Sequence, residues 1–157
     1  MKRIRIRITI ALMRFQTQRK HRQGELQIIN LDKLMEMIRA KLEGKFDMVV
    51  GIERGGILPA YLASRWLDVP LKAIRIPSQD ENHLTQNRQS HLEHSWMADI
   101  RGMRVLLVDD VVNTGATLRR AAQELAGAEI TSMTISGEAD ISLFGPHEKC
   151  IRWPWEK

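Results

Sequence analysis

The spacing of apolar residues in this 157-residue chain predicts three helices. In the first helix, apolar residues fall three or four positions apart and form one face, with Asn30 as its N-cap and Gly44 as its stop. These apolar residues are Leu31, Leu34, Met35, Ile38 and Leu42. A second helix is predicted over 57–67, where Pro59 is tolerated because it falls in the first turn. A third is predicted over about 115–126.

Short, wholly apolar runs lie between these helices and are typical of strands buried on both faces. The sequence predicts strands at 48–52, 71–76, 105–109 and 130–135. Strands that alternate with helices predict an α/β fold, an open and mostly parallel twisted sheet with flanking helices. Residues 77–102 are different, because they are polar, rich in Gln, Asn and His, and almost without periodicity. An irregular connection of that length is usually functional or mobile.

The composition is that of an ordinary globular domain, with 43% hydrophobic and 27% charged residues. No apolar run approaches the roughly 18–20 residues that a membrane helix requires, so we expect no membrane contact. The single cysteine, Cys150, rules out an internal disulfide and suits a reducing compartment, which predicts a cytoplasmic protein. No cluster of Cys and His residues has metal-binding spacing.

The net charge of +5 is concentrated at the amino terminus. Residues 1–23 contain eight basic residues and no acid, whereas residues 24–157 contain 16 bases and 19 acids. The sequence therefore predicts a basic arm at 1–23 and one domain at 24–157. The arm has three open interpretations: a structural or incidental extension, a contact for nucleic acid or phosphate, or a self-association segment. A mildly acidic domain argues against nucleic acid as its main partner.

The stretch VLLVDDVVNTGAT at 105–117 places an acid pair beside an anion loop. A glycine-containing loop that opens a helix offers free backbone N–H groups to an anion, and Thr114 and Thr117 add hydroxyl donors. Asp109 and Asp110 can accept hydrogen bonds from vicinal hydroxyls or hold Mg²⁺ directly or through water. Alone, each feature is most often a simple turn. Together they fit a ribose 5-phosphate.

A second anion loop is predicted in IERGGI at 52–57. Arg54 and the amides of Gly55 and Gly56 can form a nest for an anion at the start of a helix. Ligands of open α/β sheets bind beyond the carboxyl ends of the strands, so both loops belong to one edge. Two anion sites with a diol acceptor between them predict a ligand that carries phosphate at both ends of a ribose.

Residues about 46–135 resemble the type I phosphoribosyltransferases. VLLVDDVVNTGAT is similar to the family's signature for phosphoribosyl pyrophosphate (PRPP), and GIERGG is similar to its pyrophosphate loop. The segment 77–102 stands where the family has its mobile catalytic loop. The ending IRWPWEK is similar to that of some short bacterial and archaeal purine enzymes, which favours a purine substrate and implies a small C-terminal hood.

The resemblance implies a role for each motif residue. Asp109 and Asp110 would hold the ribose hydroxyls. The 5-phosphate would be bound by the residues Asn113, Thr114, Gly115, Ala116 and Thr117. Arg54, Gly55 and Gly56 would hold pyrophosphate, in a loop where the family often has a non-proline cis peptide. Mg²⁺ would bridge pyrophosphate and ribose oxygens, with Asp110 as an indirect ligand. The implied reaction displaces pyrophosphate from C1 of the ribose by a ring nitrogen of a base, with Arg54, Asp109, Asp110 and Asn113 as the catalytic candidates.

The chain departs from the family pattern on the side of the base. Many 6-oxopurine enzymes have an acid at the Asn113 position and read the oxo group with a lysine just past the fourth strand. Here no lysine occurs between Lys72 and Lys149, and Glu138 offers an acceptor instead. Glu138 and Trp153 are the candidate base-binding residues, against the simpler interpretations of a solvated acid and a tail anchor. The histidines of the loop, His83, His91 and His94, are expected to be solvated or loop-closing.

Two functions follow from these observations. The first is a Mg²⁺-dependent phosphoribosyltransferase that uses PRPP and a nucleobase, forming a homodimer or a higher homo-oligomer as family members usually do. The second is a non-catalytic PRPP-binding regulator that contacts nucleic acid through residues 1–23.

Overall fold

A computed structural model describes residues 27–76, 95–145 and 151–152. Its main sheet has five strands in the order β3-β2-β4-β5-β6, and every pairing in it is parallel. The strands are β2 (Met48–Ile52), β3 (Leu71–Ile74), β4 (Arg104–Val112), β5 (Glu129–Gly137) and β6 (Ile141–Ser142). A separate parallel pair joins β1 (Gln27–Ile28) to β7 (Ile151–Arg152).

Within the described residues, three α-helices flank the sheet, namely α1 (Leu31–Lys41), α2 (Ile57–Leu67) and α3 (Ala116–Glu124). Asn30 is the N-cap of α1 as predicted, and its Oδ1 accepts a hydrogen bond from the Lys33 amide at 2.8 Å. The helix ends at Lys41, with Gly44 at a φ of 113° shortly after it. No helix in the described part of the chain is both long and apolar enough to cross a membrane.

Two apolar cores lie on opposite faces of the sheet. One packs Val49 of β2 and Leu106 of β4 against residues of α1 and α2 such as Leu34. The other packs neighbouring strand residues, such as Leu107, against Leu118 and other residues of α3. Because successive side chains of a strand point to opposite faces, uniformly apolar strands are required for a sheet covered on both sides.

Several predicted boundaries are corrected by the structure. β4 and β5 are longer than predicted because their pairing continues to Val112 and Gly137, so both acids of the pair lie within β4. β3 ends at Ile74, two residues early. Part of the segment predicted as irregular, 77–102, forms a 3₁₀ helix at Ser95–Asp99.

Some predictions concern residues that the structure does not describe. The basic arm at 1–23 lies outside the described residues, as do residues 77–94 of the predicted mobile loop at 77–102. Of the predicted C-terminal hood, only 151–152 are described, as the strand that pairs with β1.

The strand order creates a crevice at the carboxyl ends of β2 and β4. The chain leaves β2 toward β3 on one side and leaves β4 toward β5 on the other, which makes this pair the topological switch point of the sheet. At the opposite, amino ends of the same strands, the Arg104 side chain donates two hydrogen bonds to the Asp47 carboxylate. They run from Nη2 to Oδ1 at 2.6 Å and from Nε to Oδ2 at 3.0 Å. Hydrogen bonds from the Arg104 side chain and backbone lower the pKa of Asp47 to about 2. An ion pair thus joins the amino ends of β2 and β4, whereas the crevice for a ligand lies at their carboxyl ends.

Candidate active site

The acid pair of β4 is divided between the two faces of the sheet. Leu107 packs in the core on the α3 side and Val108 in the core on the α1 and α2 side. Strand alternation therefore carries Asp109 toward α3 and Asp110 toward α2. Asp109 lines a pocket with the loop 113–117, whereas Asp110 meets the loop that follows β2.

A cavity of about 150 Å³ opens where β4 passes into α3. Asp109 and the continuous segment 111–118 line it, which includes every residue predicted to bind the 5-phosphate. The turn into the helix requires Gly115, whose φ is 71°. Since α3 begins at Ala116, the first amides of the helix lack intrahelical partners, and the positive end of the helix dipole faces the loop. The Thr114 hydroxyl accepts a long hydrogen bond, 3.4 Å, from the Ala116 amide.

Asp109 is a buried acid that forms part of the wall of this pocket. Only 8% of its surface is exposed, and its Oδ1 accepts a hydrogen bond from the Asp110 amide at 2.9 Å. Burial, and then the negative charge of Asp110, raise the pKa of Asp109 to about 7. A carboxylate in this position is stabilised by any ligand that brings hydroxyl donors or a cation.

The raised pKa of Asp109 predicts that the free energy of unfolding falls as pH rises from about 4 to about 7. In that interval the folded protein still binds the proton that the unfolded chain has lost, so rising pH favours the unfolded chain, and the loss is complete once folded Asp109 ionises near pH 7. Asp109→Asn keeps the accepting oxygen and is expected to remove this slope, which chemical denaturation at a series of pH values, with a chelator present, measures. Asp47→Asn is the control, because Asp47 has a lowered pKa and loses its contribution only as pH falls below about 4. An unchanged slope in Asp109→Asn would contradict the assignment.

The pyrophosphate loop predicted after β2 contacts the second acid. A Cβ atom added to Gly55 would overlap the Asp110 carboxylate, so the backbone at this glycine and the acid are in direct proximity. Gly56 packs equally closely on the backbone of Val108 and Asp109. The peptide bond between Glu53 and Arg54 is cis, as the resemblance implied.

Arg54 lies exposed in this loop, and its guanidinium forms no hydrogen bond or ion pair with another described residue. Its guanidinium is therefore available to an anion. The structure brings Arg54, Gly55 and Gly56 next to the acid pair, and the acid pair next to the loop 113–117. All of these predicted residues meet at one crevice.

The candidate base residues are only partly described. Val112 pairs with Gly137 at the ends of β4 and β5, and Gly137 has a φ of 108° and abuts the Val112 carbonyl. Asn113 and Glu138 therefore leave neighbouring strand ends, and both are exposed. Neighbouring strands run about 4.8 Å apart, so one small ring can reach both side chains. Trp153 lies outside the described residues.

The sequence did not reveal a buried hydroxyl beneath the acid pair. Thr134 is fully buried, and its Oγ1 lies 2.8 Å from the Asp110 carbonyl and 2.9 Å from the Ser136 carbonyl. This hydroxyl therefore links β5 to the backbone of the acid pair in β4, near the carboxyl ends of both strands. The only signal in the sequence was a threonine inside an otherwise buried strand end. Arg119, which contacts the anion loop, was also missed.

The acid pair fits a magnesium ion held mainly by a substrate. In the described part of the chain, no group of three or more His, Cys, Asp or Glu residues is arranged to hold a metal. Mg²⁺ typically binds through one or two carboxylates, several waters and the phosphates of its substrate. Asp109 and Asp110 face opposite sides of β4, so either carboxylate alone, with waters and the phosphates of a substrate, would supply that donor set.

The fold and this crevice define an α/β protein with two candidate anion loops at the switch point of a parallel sheet. Residues 22–136 match the family described as phosphoribosyl transferase domain, and the chain belongs to this family. The five-stranded parallel sheet matches the type I phosphoribosyltransferase fold, which confirms the predicted fold class.

Named relatives differ in the base that their names give. The chain is 40% identical over 101 residues to orotate phosphoribosyltransferase 2 of Mesorhizobium japonicum, covering 63% of this chain and 47% of that protein. It is 35% identical over 96 residues to orotate phosphoribosyltransferase of Bartonella bacilliformis, covering 61% of this chain and 44% of that protein. Among solved structures, purine phosphoribosyltransferase of Pyrococcus horikoshii matches with a TM-score of 0.67 and 28% identity, covering 85% of this chain and 95% of that one. The chain spans about half the length of the curated relatives it matches.

Proposed function

We propose that this protein is a Mg²⁺-dependent phosphoribosyltransferase that transfers ribose 5-phosphate from PRPP to a nucleobase and releases pyrophosphate. One observation carries the proposal: the acid pair of β4 contacts both anion loops, Asp109 in the pocket of 113–117 and Asp110 against Gly55. PRPP has the same order of groups, a phosphate, a ribose diol and a pyrophosphate. The family membership supports the same ligand.

The placement of the loops supports one direction from which the base would attack C1 of the ribose. With the 5-phosphate over α3 and the pyrophosphate over the loop after β2, C1 of the ribose would lie above β4. A base that displaces pyrophosphate must approach C1 from the opposite side, and the strand on that side is β5. Asn113 and Glu138 stand there, so we assign them to the base.

The protein's main chemical task is electrostatic. The C1–O bond breaks ahead of full C1–N bond formation, so negative charge accumulates on the pyrophosphate and the ribose becomes oxocarbenium-like. Arg54 and the amides of Gly55 and Gly56 would stabilise the pyrophosphate, and Asp109 and Asp110 would hold the ribose hydroxyls. Mg²⁺, when bound with PRPP, would supply further positive charge at the pyrophosphate.

Two classes of base are candidates for the substrate, purines and orotate. The ending IRWPWEK and the Pyrococcus structure favour a purine, whereas the curated relatives carry orotate in their names. Glu138 presents an anionic acceptor at the base side, which suits a ring with an amino or N–H donor and disfavours a base that carries a carboxylate. We favour a neutral amino-bearing base, with purines first.

The deciding experiment measures pyrophosphate release from PRPP and Mg²⁺ with a panel of bases that includes adenine, guanine, hypoxanthine, cytosine, uracil and orotate. We expect turnover with at least one base. PRPP binding without release for any base would overturn the enzyme proposal. Preferred use of orotate would leave the transferase intact and refute the role assigned to Glu138.

The regulator alternative rests on the basic arm alone, and no described residue favours it. Affinity for RNA or DNA that disappears when residues 1–23 are deleted would support it. A homodimer or a higher homo-oligomer and a cytoplasmic location stay predictions, which chromatography with light scattering and cell fractionation can test.

A further inference from the structure

Arg119 lies on the first turn of α3 and folds back over the loop that precedes the helix. Its Nη1 donates a hydrogen bond to the Thr114 carbonyl at 2.9 Å. The same nitrogen lies 2.9 Å from the position that a Cβ of Gly115 would occupy. Glycine at this position therefore serves two purposes: it permits the φ of 71°, and it leaves room for the guanidinium.

The charge of Arg119 is in an unfavourable place unless an anion is nearby. The amino end of a helix carries partial positive charge, and a cation there is destabilising. The first turn of α3 has no acid, and Arg119 forms no ion pair with another described residue. The amino end of α3 and the Arg119 guanidinium therefore both present positive charge to the loop. An electrostatic arrangement of this kind favours an anion with more than one charge.

The hydrogen bond to Thr114 removes an obstacle to that anion. A backbone carbonyl in an anion loop repels the oxygens of a phosphate, whereas an N–H group attracts them. Thr114 lines the pocket and Arg119 does not, so the guanidinium engages the loop from outside the cavity. It occupies the carbonyl oxygen, so this acceptor is less able to repel an anion in the pocket.

We propose that Arg119 is a positioning residue for the sugar-phosphate end of the ligand, which it serves by holding the loop 113–117 in its donor conformation and by adding charge behind it. The inference rests on the proposed assignment of this loop to the 5-phosphate. It distinguishes the two ends of PRPP, because Arg119 serves the loop at α3 and Arg54 serves the loop after β2.

The test is a binding experiment that needs no turnover. Ribose 5-phosphate and pyrophosphate are titrated separately, by calorimetry, into the wild-type protein and into Arg119→Ala. We expect Arg119→Ala to bind ribose 5-phosphate about tenfold more weakly, the loss of one charge-assisted hydrogen bond, with pyrophosphate affinity changed less than about twofold. Arg54→Ala is expected to show the reverse pattern.

Two further variants separate position from charge. Arg65→Ala removes the same charge from the last turn of α2, far from the loop, and is expected to change neither affinity. Arg119→Lys keeps the charge and one donor on the same helix turn, and is expected to recover part of the ribose 5-phosphate affinity. This recovery also guards against a simple loss of folding in the alanine variant.

Three outcomes would overturn the inference. Equal weakening of both ligands in Arg119→Ala would indicate only a general effect of net charge. Unchanged ribose 5-phosphate affinity would make the contact with Thr114 incidental. A wild-type protein that binds neither ligand would overturn the proposed function as well, so the two failures can be told apart.

Discussion

Replacing Arg54 with alanine is expected to lower turnover of PRPP about 100- to 1,000-fold, which corresponds to about 2.7–4 kcal/mol. Arg54 is an exposed cation without a partner among the described residues, and it stands in the loop assigned to pyrophosphate. Because negative charge on the leaving group grows toward the transition state, its loss should lower kcat more than the affinity for PRPP. Initial rates of pyrophosphate release with the best base measure both effects.

Asn113→Ala provides the matched comparison for this prediction. Asn113 is also exposed and lies at the same crevice, but its backbone can serve the phosphate loop whatever its side chain. We expect a loss of turnover smaller than that of Arg54→Ala. If Asn113→Ala proves the more damaging change, hydrogen bonding of Asn113 to the base contributes more to the reaction than stabilisation of pyrophosphate by Arg54.

The succession of strands and helices could be predicted because its signals are local. Asn30 caps its helix through a neighbour three residues away, and the apolar runs at 48–52 and 105–109 are visible without knowledge of their partners. The two-residue strands β1, β6 and β7 were missed because so short a segment carries no periodicity. The lengths of β4 and β5 were underestimated because polar residues at their ends are retained by the ladder between them.

The members of the site were predicted more fully than its arrangement. The motif predicted Asp109 and Asp110 as one diol acceptor, and strand alternation sends their side chains to opposite faces, so each would approach a ribose from a different anion loop. The buried state of Asp109 and the contact of Asp110 with Gly55 depend on β2 lying beside β4, although these residues are far apart in the chain. Spacing along the sequence does not contain that information.

The distribution of charge around the crevice is a further feature that no single motif shows. Arg54, the amino end of α3 and Arg119 place positive charge at both loops assigned to phosphates. Glu138 places negative charge at the end of β5, on the side assigned to the base. A ligand with two anionic ends and a neutral base that carries an amino or N–H donor fits this distribution, whereas a base with a carboxylate would meet a like charge.

The two glycines of the pyrophosphate loop should respond differently to the same substitution. In Gly55→Ala, the added methyl group overlaps the Asp110 carboxylate, the end of a side chain that can turn away. We expect a small loss of stability but a loss of PRPP affinity of at least tenfold, since the displaced carboxylate no longer serves the ribose. In Gly56→Ala, the methyl group meets backbone atoms of Ile52, Val108 and Asp109, which cannot move without separating β2 from β4.

Gly56→Ala is therefore expected to lower the free energy of unfolding by about 1–3 kcal/mol, the usual cost of overpacking. Thermal melts and PRPP titrations on both variants give the comparison, and Gly102→Ala is the control, because its methyl group meets nothing within 4 Å and its φ of 76° tests conformational strain alone. Full PRPP affinity in Gly55→Ala would show that the carboxylate of Asp110 does not hold the ligand. Loss of affinity without loss of stability would establish that Gly55 is glycine because the acid needs its space, and that the contact between the two motifs forms the site.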